Sequence, residues 1–467
     1  MKTIILKFKK MLLKFLLALT LFCIGFCQGF AQNNPFNYSL VLNSAVSSES
    51  TLPFWLTANK FGAVPNSRHS SVYAEVFSDF KDSESKFSFS YKTSFTGYLA
   101  SKNNFFINEL YGSLKFKGVQ LDLGSKNDDI KWEGLSSSNG DMIKSTNTRA
   151  FPGFNLKTID YLKLPFARKW LRVKASYGEY LLIDKRVVDG AHLHHKSLYF
   201  KSVLSKKLTM VTGMDHYVQW GGTSQEYGNF STTFKDYLRV LIGYSGGESA
   251  LETDQINAMG NTVGAYLFQL NYTGEKTNWS AYWSHPFEDR SGRELSNYPD
   301  ALYGLFIDLK KPKSFITHIL GEFTYTKHMS GSTGISGRDG YFNNSVYKSG
   351  WTYFGRTIGA PFFHTKEPVN GITAGIDPNY SRFTAYHLGL KGFLSERIQY
   401  KTYFSYVRYP GWFDNPINEE QFSSLIAFYL QPKNSPIEIS VGGAADFGSA
   451  LPKNFGGFFQ LRFPLSD

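Results

Sequence analysis

The chain has 467 residues with 50 basic and 38 acidic side chains, a formal net charge of +12. Past the first 14 residues its basic residues are scattered with no dense run, which favours a solvated or lumen-facing scatter over a nucleic-acid surface. Aromatic residues make up 17% of the chain, with 42 Phe and 29 Tyr, although mean hydropathy is only −0.27, so the rings exceed what a water-soluble core needs and suit the outer face and interfacial girdles of a barrel in lipid.

In chain order, Lys2, Lys7, Lys9, Lys10 and Lys14 precede the apolar run 15–26, and Gly29-Phe30-Ala31 places small residues at the −3 and −1 positions of a cleavage site. Residues 1–31 therefore read as a secretory signal peptide. The run falls short of the roughly 20 residues that span a bilayer, so a permanent anchor is the weaker reading. Cys23 and Cys27 are the only cysteines, and neither follows the small residue that bacterial lipid attachment needs. Cleavage after Ala31 would remove five lysines and no acid, taking the charge from +12 to +7. The remaining chain, 32–467, would have no thiol or disulfide chemistry.

Past residue 31 no stretch approaches the roughly 18 consecutive apolar residues of a transmembrane helix, which leaves a closed barrel as the one membrane-spanning fold open to the chain. Period-two alternation recurs throughout. In 87–99, Phe87, Phe89, Tyr91, Thr93, Phe95, Gly97 and Leu99 share one face, while Ser88, Ser90, Lys92, Ser94 and Thr96 share the other with Lys86. Comparable runs fall at 72–80, 110–116, 119–123, 170–180, 208–214, 264–272, 315–325, 398–408, 425–429, 437–441 and 459–463. One such strand would also suit a soluble sandwich; their number, with helical period scarce, favours the barrel. At roughly 25 residues per strand and its connections, 32–467 holds about 17 strands, and even parity makes that 16 or 18. The expected fold is all-β: a single antiparallel transmembrane β-barrel of about 16–18 strands, outer-membrane type, with no domain boundary.

Short turns are read at 81–84, 205–207, 274–276 and 310–313, and long loops at 126–169, 184–195, 219–235, 245–261, 284–300, 327–381 and 409–421. Barrels of this type keep short turns on the periplasmic side and long loops outside, and binding chemistry belongs on such loops or in the lumen. The stretch 278–304 concentrates that chemistry. Trp279, Ala281 and Trp283 alternate with Asn278, Ser280 and Tyr282, and Tyr303, Leu305 and Ile307 alternate with Gly304, Phe306 and Asp308. Between the two runs His285, Glu288, Asp289, Arg290, Arg293, Glu294 and Asp300 sit among Phe287 and Tyr298. Rings beside acids suit sugar or peptide ligands.

Other constellations have plainer readings. His192, His194 and His195 with Asp189 supply metal-ligand types, but adjacent imidazoles on a strand point to opposite faces, so no metal or other cofactor is expected. Ser224, His216 and Asp215, or Ser291, His285 and Asp289, have the residue types of a hydrolytic triad without a nucleophile-elbow context, so no catalysis is expected. Gly221-Gly222 and Gly246-Gly247 read as turn or bulge glycines, because a phosphate cradle needs a helix after it.

A succession of motifs gives the chain a family likeness. Pro53-Phe54-Trp55-Leu56 with Asn59 and Gly62 is followed by Leu193-His194-His195-Lys196-Ser197-Leu198-Tyr199, Gln219-Trp220-Gly221-Gly222-Thr223-Ser224 and Asn257-Ala258-Met259-Gly260-Asn261. His285-Pro286-Phe287-Glu288-Asp289-Arg290-Ser291-Gly292, Gly337-Arg338-Asp339-Gly340-Tyr341-Phe342-Asn343-Asn344 and the run 347–355 complete the series. In this order they resemble the Wzi family of capsule-assembly proteins. The resemblance implies a barrel in the bacterial outer membrane that acts as a lectin or assembly factor, holding capsular or exopolysaccharide at the cell surface, with outer-membrane lipid as its other partner. Two features depart from the family: its enterobacterial members begin with a periplasmic helical element whereas 32–42 reads as strand, and Phe463 is followed by Pro464-Leu465-Ser466-Asp467 rather than ending the chain.

Sugars offer hydroxyls to acids and amides and C–H faces to rings, so polymer contact is expected on the loops 284–300 and 327–353 with 219–224 beside them. The candidate binding residues are Trp220, His285, Asp289, Asp300, Asp339, Asn343 and Trp351. Trp220, Trp351 and Trp412 read equally as sugar-stacking platforms or as girdle anchors. A diffusion porin for small or sugar solutes is the alternative function and an outer-membrane hydrolase a third. A bore closed by inserted loops favours the lectin; an open, charge-lined one favours the porin.

Overall fold

The computed structural model describes residues 37–80, 86–167, 170–243, 260–329, 340–433 and 435–466. The stretch 1–31 read as a signal peptide, the expected turn at 81–84, Gly246-Gly247 and Asp339 lie outside them. The main sheet has nineteen strands, of which the two-residue Leu162–Lys163 pairs only with Leu171–Leu181, so eighteen form the wall. They are β1 (Asn37–Ser47), β2 (His69–Ser78), β3 (Phe87–Leu99), β4 (Asn104–Phe116), β5 (Val119–Ser125), β6 (Pro152–Thr158), β7 (Leu171–Leu181), β8 (His192–Val203) and β9 (Leu208–Trp220). The second half is β10 (Asn261–Thr273), β11 (Asn278–Phe287), β12 (Ala301–Asp308), β13 (His318–Tyr325), β14 (Thr384–Ser395), β15 (Ile398–Trp412), β16 (Asn415–Leu430), β17 (Glu438–Gly448) and β18 (Asn454–Ser466).

Each strand pairs antiparallel with its neighbours in sequence, and β18 pairs with β1 from Asn37↔Ser466 to Ser47↔Gly456, so the sheet closes without an edge. Residues 464–466 thus belong to the closing strand, and the strand read over 32–42 is seen from Asn37 onward. No helix among the described residues is long and apolar enough to cross a membrane; this chain crosses with strands.

The period-two pattern places the side chains as expected. Phe87 and Leu99 on β3 are 57% and 67% exposed on the outer face, whereas Ser94 and Thr96 are buried within. Lys92 points into the bore, where its ammonium lies 2.9 Å from both Glu75 of β2 and Glu109 of β4. On β5, Asp122 faces the same interior and pairs with Lys126 at 2.8 Å and Lys157 at 2.9 Å. The Tyr282 ring of β11 covers Gly304 of β12, where any side chain would collide with it.

Two long loops are shorter than their sequence suggests. The stretch 126–169 contains β6, a wall strand, and 409–421 is the tip of a long hairpin whose strands run on to Trp412 and resume at Asn415. The Pro and Gly residues that read as loop there belong to a bulge between Tyr409 and Gly411, with Gly411 at φ +84°. The helix Phe234–Ile242 was not expected either; Thr233 caps it by accepting from Asp236 N–H, and Gly243 ends it at φ +71°.

The apolar core lies inside the barrel. Segments 48–68, 126–151 and 340–383 turn back into the bore, and Trp55, Met142, Ile143, Phe342, Trp351, Phe362, Phe363 and Phe383 pack there with Tyr409 and Val407 of the wall. Every one of these side chains is almost wholly shielded from solvent.

Candidate functional site

The wall holds this plug through carboxylate and imidazole side chains aimed inward. Glu322 of β13 accepts hydrogen bonds from Ser136 Oγ (2.6 Å), Ser137 N–H (2.7 Å), Ser137 Oγ (2.6 Å) and Tyr282 OH (2.5 Å). His387 of β14 sits between Leu135 O and Ser405 Oγ, each at 2.7 Å, and Trp55 Nε1 donates to the same Ser405 oxygen at 3.2 Å. Lys401 donates to Glu133 O at 2.6 Å, and Lys391 lies 2.7 Å from the Glu133 carboxylate. Inside the plug, Arg186 pairs with its near neighbour Asp184 at 3.1 Å and donates to Thr352 O at 3.4 Å, and Arg356 donates to Val64 O and Asn66 Oδ1, each at 2.7 Å, tying these segments to one another.

Where the plug meets solvent at the loop end, the structure opens into a cleft of about 1540 Å³. Amides from Asn297, Asn343, Asn344, Asn370, Asn379 and Asn415 line it with Glu288, Asp289, Arg290, Arg293, Lys348 and Lys366. Tyr341 and Trp412 supply rings. The Trp412 ring lies against Gly340, beside the Asn343 amide. Its hairpin is fixed from behind: Arg382 donates to Gly411 O at 3.0 Å and lies over the Phe413 ring at 3.8 Å, while Tyr380 OH donates to Glu419 at 2.7 Å. An aromatic face among rigidly held amides and both charge signs can bind hydroxyl-rich ligands, neutral or acidic.

The expected binding residues divide between this cleft and buried positions. Asp289 and Asn343 line the cleft. Asp289 also caps the short helix Arg290–Arg293, accepting from Gly292 N–H at 2.9 Å and Ser291 Oγ at 2.7 Å. Asp300 is wholly buried and accepts from His328 N–H (2.8 Å), Met329 N–H (2.5 Å) and Tyr341 OH (2.6 Å). Burial pushes its carboxyl up to about 7 from an ordinary 3.8. Trp351 is fully buried and donates from Nε1 to Ile143 O at 2.6 Å, so its ring belongs to the plug and not to the cleft. Trp220 packs on the outer wall against His192 (4.9 Å) and Tyr237 (5.3 Å) beneath the helix Phe234–Ile242. His285 stacks on Trp283 at 5.1 Å on the outer wall and is shut off from solvent. Trp412 emerges as the accessible ring of the cleft.

Of the two triad-like sets, the second joins Ser291 Oγ to Asp289 at 2.7 Å while its His285 stacks on Trp283, and the first does not converge. Asp215 faces inward to His195 Nε2 at 2.9 Å and to Tyr199 OH, while the adjacent His216 faces outward toward Phe287. Ser224 Oγ accepts from Glu226 and Tyr227 N–H in a local turn. His194 and His195 likewise point to opposite faces, His194 to Glu179 and His195 to Asp215.

Comparison with known proteins agrees with this architecture. The chain is similar to the solved structure of Wzi from Escherichia coli, described as an outer membrane protein involved in group 1 capsule assembly and a carbohydrate-binding β-barrel; identity is 13%, TM-score 0.57, and coverage 94% of this chain and 87% of that one. OccAB4 of Acinetobacter baumannii and OprD of Pseudomonas aeruginosa are also similar, each at 8% identity and TM-score 0.48, covering 93% of this chain and 99% and 96% of theirs. No curated protein sequence matches. At such identities the likeness speaks for the fold. The sequence itself matches the family model for capsule assembly protein Wzi over residues 46–370. On the strength of that match, which spans well over half its length, this chain belongs to the Wzi family of capsule assembly proteins.

Proposed function

We propose that the chain is a non-catalytic outer-membrane lectin that retains capsular or exopolysaccharide at the cell surface through the cleft at the loop end of the barrel. The observation that supports this most is the division of labour at the loop end: 126–151 and the inward part of 340–383 fill the bore with buried apolar side chains, while the solvent side of 340–383 presents amides and lysines to a cleft completed by Glu288, Asp289, Arg290 and Arg293 and by the Trp412 ring of the neighbouring hairpin. A diffusion porin needs an unobstructed polar path, whereas inserted segments build a buried apolar core within this bore, beside a charged pocket of about 840 Å³ lined by Glu75, Lys92 and Glu109. The E. coli relative, which binds carbohydrate, supports the ligand class.

Asp289, Asn343 and Trp412 are the contact residues in this reading. Alanine at each should leave the barrel inserted and heat-modifiable on gels but release polymer from cells. Retention of polymer together with altered small-solute uptake would replace the lectin with the channel.

A further inference from the structure

The helix Phe234–Ile242 lies on the outside of the barrel, not over its mouth. It packs on Val218 and Trp220 of β9 through Val240 and Tyr237. Val218 and Trp220 alternate with Tyr217 and Gln219, whose side chains enter the interior, so the helix occupies the face that strands of this barrel turn to lipid. On that face the upper wall is unusually polar. His194 Nδ1 and Glu179 Oε1 are 2.5 Å apart, Tyr237 OH donates to the same carboxylate at 2.8 Å, and Lys196 donates to Leu241 O at the end of the helix. The helix thus covers groups that would be costly against hydrocarbon.

Its own outward side is apolar. Phe234, Leu238 and Ile242, spaced on one helical stripe, are 73%, 42% and 63% exposed. The stripe continues an existing apolar surface: Leu181 at the top of β7 and Leu198 and Phe200 lower on β8 are exposed on the same outer face. Lys235 is exposed at the start of the helix. An apolar stripe with a cation beside it suits the boundary between acyl chains and anionic headgroups.

We infer that Phe234–Ile242 is an outer-leaflet element, with Phe234, Leu238 and Ile242 seated among lipid acyl chains in place of the wall residues it hides. The inference rests on the barrel and not on the polymer reading. It is tested by nitroxide labels at Leu238→Cys and, independently, Ile242→Cys, in full-length protein carrying Ser at positions 23 and 27 and reconstituted in vesicles with anionic lipid. Phe200→Cys marks the lipid belt, and Glu367→Cys, exposed at the mouth, marks water. The expected result is a ratio of oxygen to nickel-chelate collision rates at 238 and 242 close to that at 200 and several-fold above that at 367. A ratio at both positions equal to that at 367 overturns the inference. Low collision with both reagents together with dipolar broadening between labels also overturns it, assigning the stripe to a second copy of the chain. A heat-modifiability shift on gels confirms that each variant is a closed barrel.

Discussion

The loops that enter the bore and the segment that wraps the outer wall solve opposite solvent problems. Inside, the wall offers Glu322, His387, Lys391 and Lys401, and the plug meets them with hydroxyls, carbonyls and a carboxylate before closing over an apolar centre of Trp351, Phe342 and Phe363. Outside, the wall near β8 and β9 offers His194, Lys196 and Trp220, and the helix meets them with Tyr237, Leu241 O and Val240 while turning Phe234, Leu238 and Ile242 away. In both places a second layer covers polar groups of the wall, bonds to some of them, and carries the opposite polarity on its far side. A barrel wall therefore need not be polar inside and apolar outside at every level, provided that a second layer restores the balance.

The difference can be broken first at the centre of the plug. Trp351→Ala removes one of the two largest side chains fully buried there along with its bond to Ile143 O, and is expected to destabilise the plug by about 3–5 kcal/mol, the usual range for an aromatic deleted from a core. Hydrogen exchange should rise across 340–383 while the strand amides of the wall stay protected. Uniform loss of protection in the strands as well would show that plug and wall are one cooperative unit.

Next comes the anchor. Glu322→Ala leaves the hydroxyls of Ser136, Ser137 and Tyr282 without their acceptor, at an expected cost on the order of 3 kcal/mol, and ion conductance in planar bilayers should rise as the plug loosens. A variant as tightly closed as the parent would mean that apolar packing alone holds the bore shut.

A third effect is expected from pH at a buried carboxyl near the mouth. The carboxyl of Asp300 is raised to about 7 in the folded protein from an ordinary 3.8, so the native state binds this proton more tightly than the unfolded state does. Its contribution to stability is complete below about pH 4 and is lost as pH rises toward about 7. Chemical unfolding followed at several pH values should show that decline in the parent, and Asp300→Asn should flatten it. An unchanged pH profile in the variant would remove Asp300 as its source.

Much of the wall was legible because a strand's inside and outside differ at every step. The faces of Phe87–Leu99 follow from alternating Phe and Ser, and the structure keeps Lys92 inward where Glu75 and Glu109 pair with it. Pro152–Thr158 was hidden inside a long loop because its seven residues open on Pro152-Gly153 and alternate weakly. The site was harder, since whether an acid or ring reaches solvent is decided by distant partners. Asp300 resembles a surface acid until His328, Met329 and Tyr341 close on it, and Trp351 resembles a stacking platform until Ile143 and Tyr217 surround it. Local sequence could not distinguish Trp351 from Trp412, because only the fold of the plug places one at its centre and the other at its edge.

The most direct test of the account is binding of purified surface polysaccharide to vesicles carrying the closed barrel, compared between the parent and the double variant Asn343→Ala/Trp412→Ala. Both residues line the cleft, and neither holds the plug to the wall through Glu322 or His387. The account predicts that polymer co-sediments with the parent and that the double variant binds at least about tenfold more weakly, a loss of about 1.4 kcal/mol, with small-solute entry negligible in both. Equal polymer binding by the two, or rapid solute entry through the parent, would contradict it.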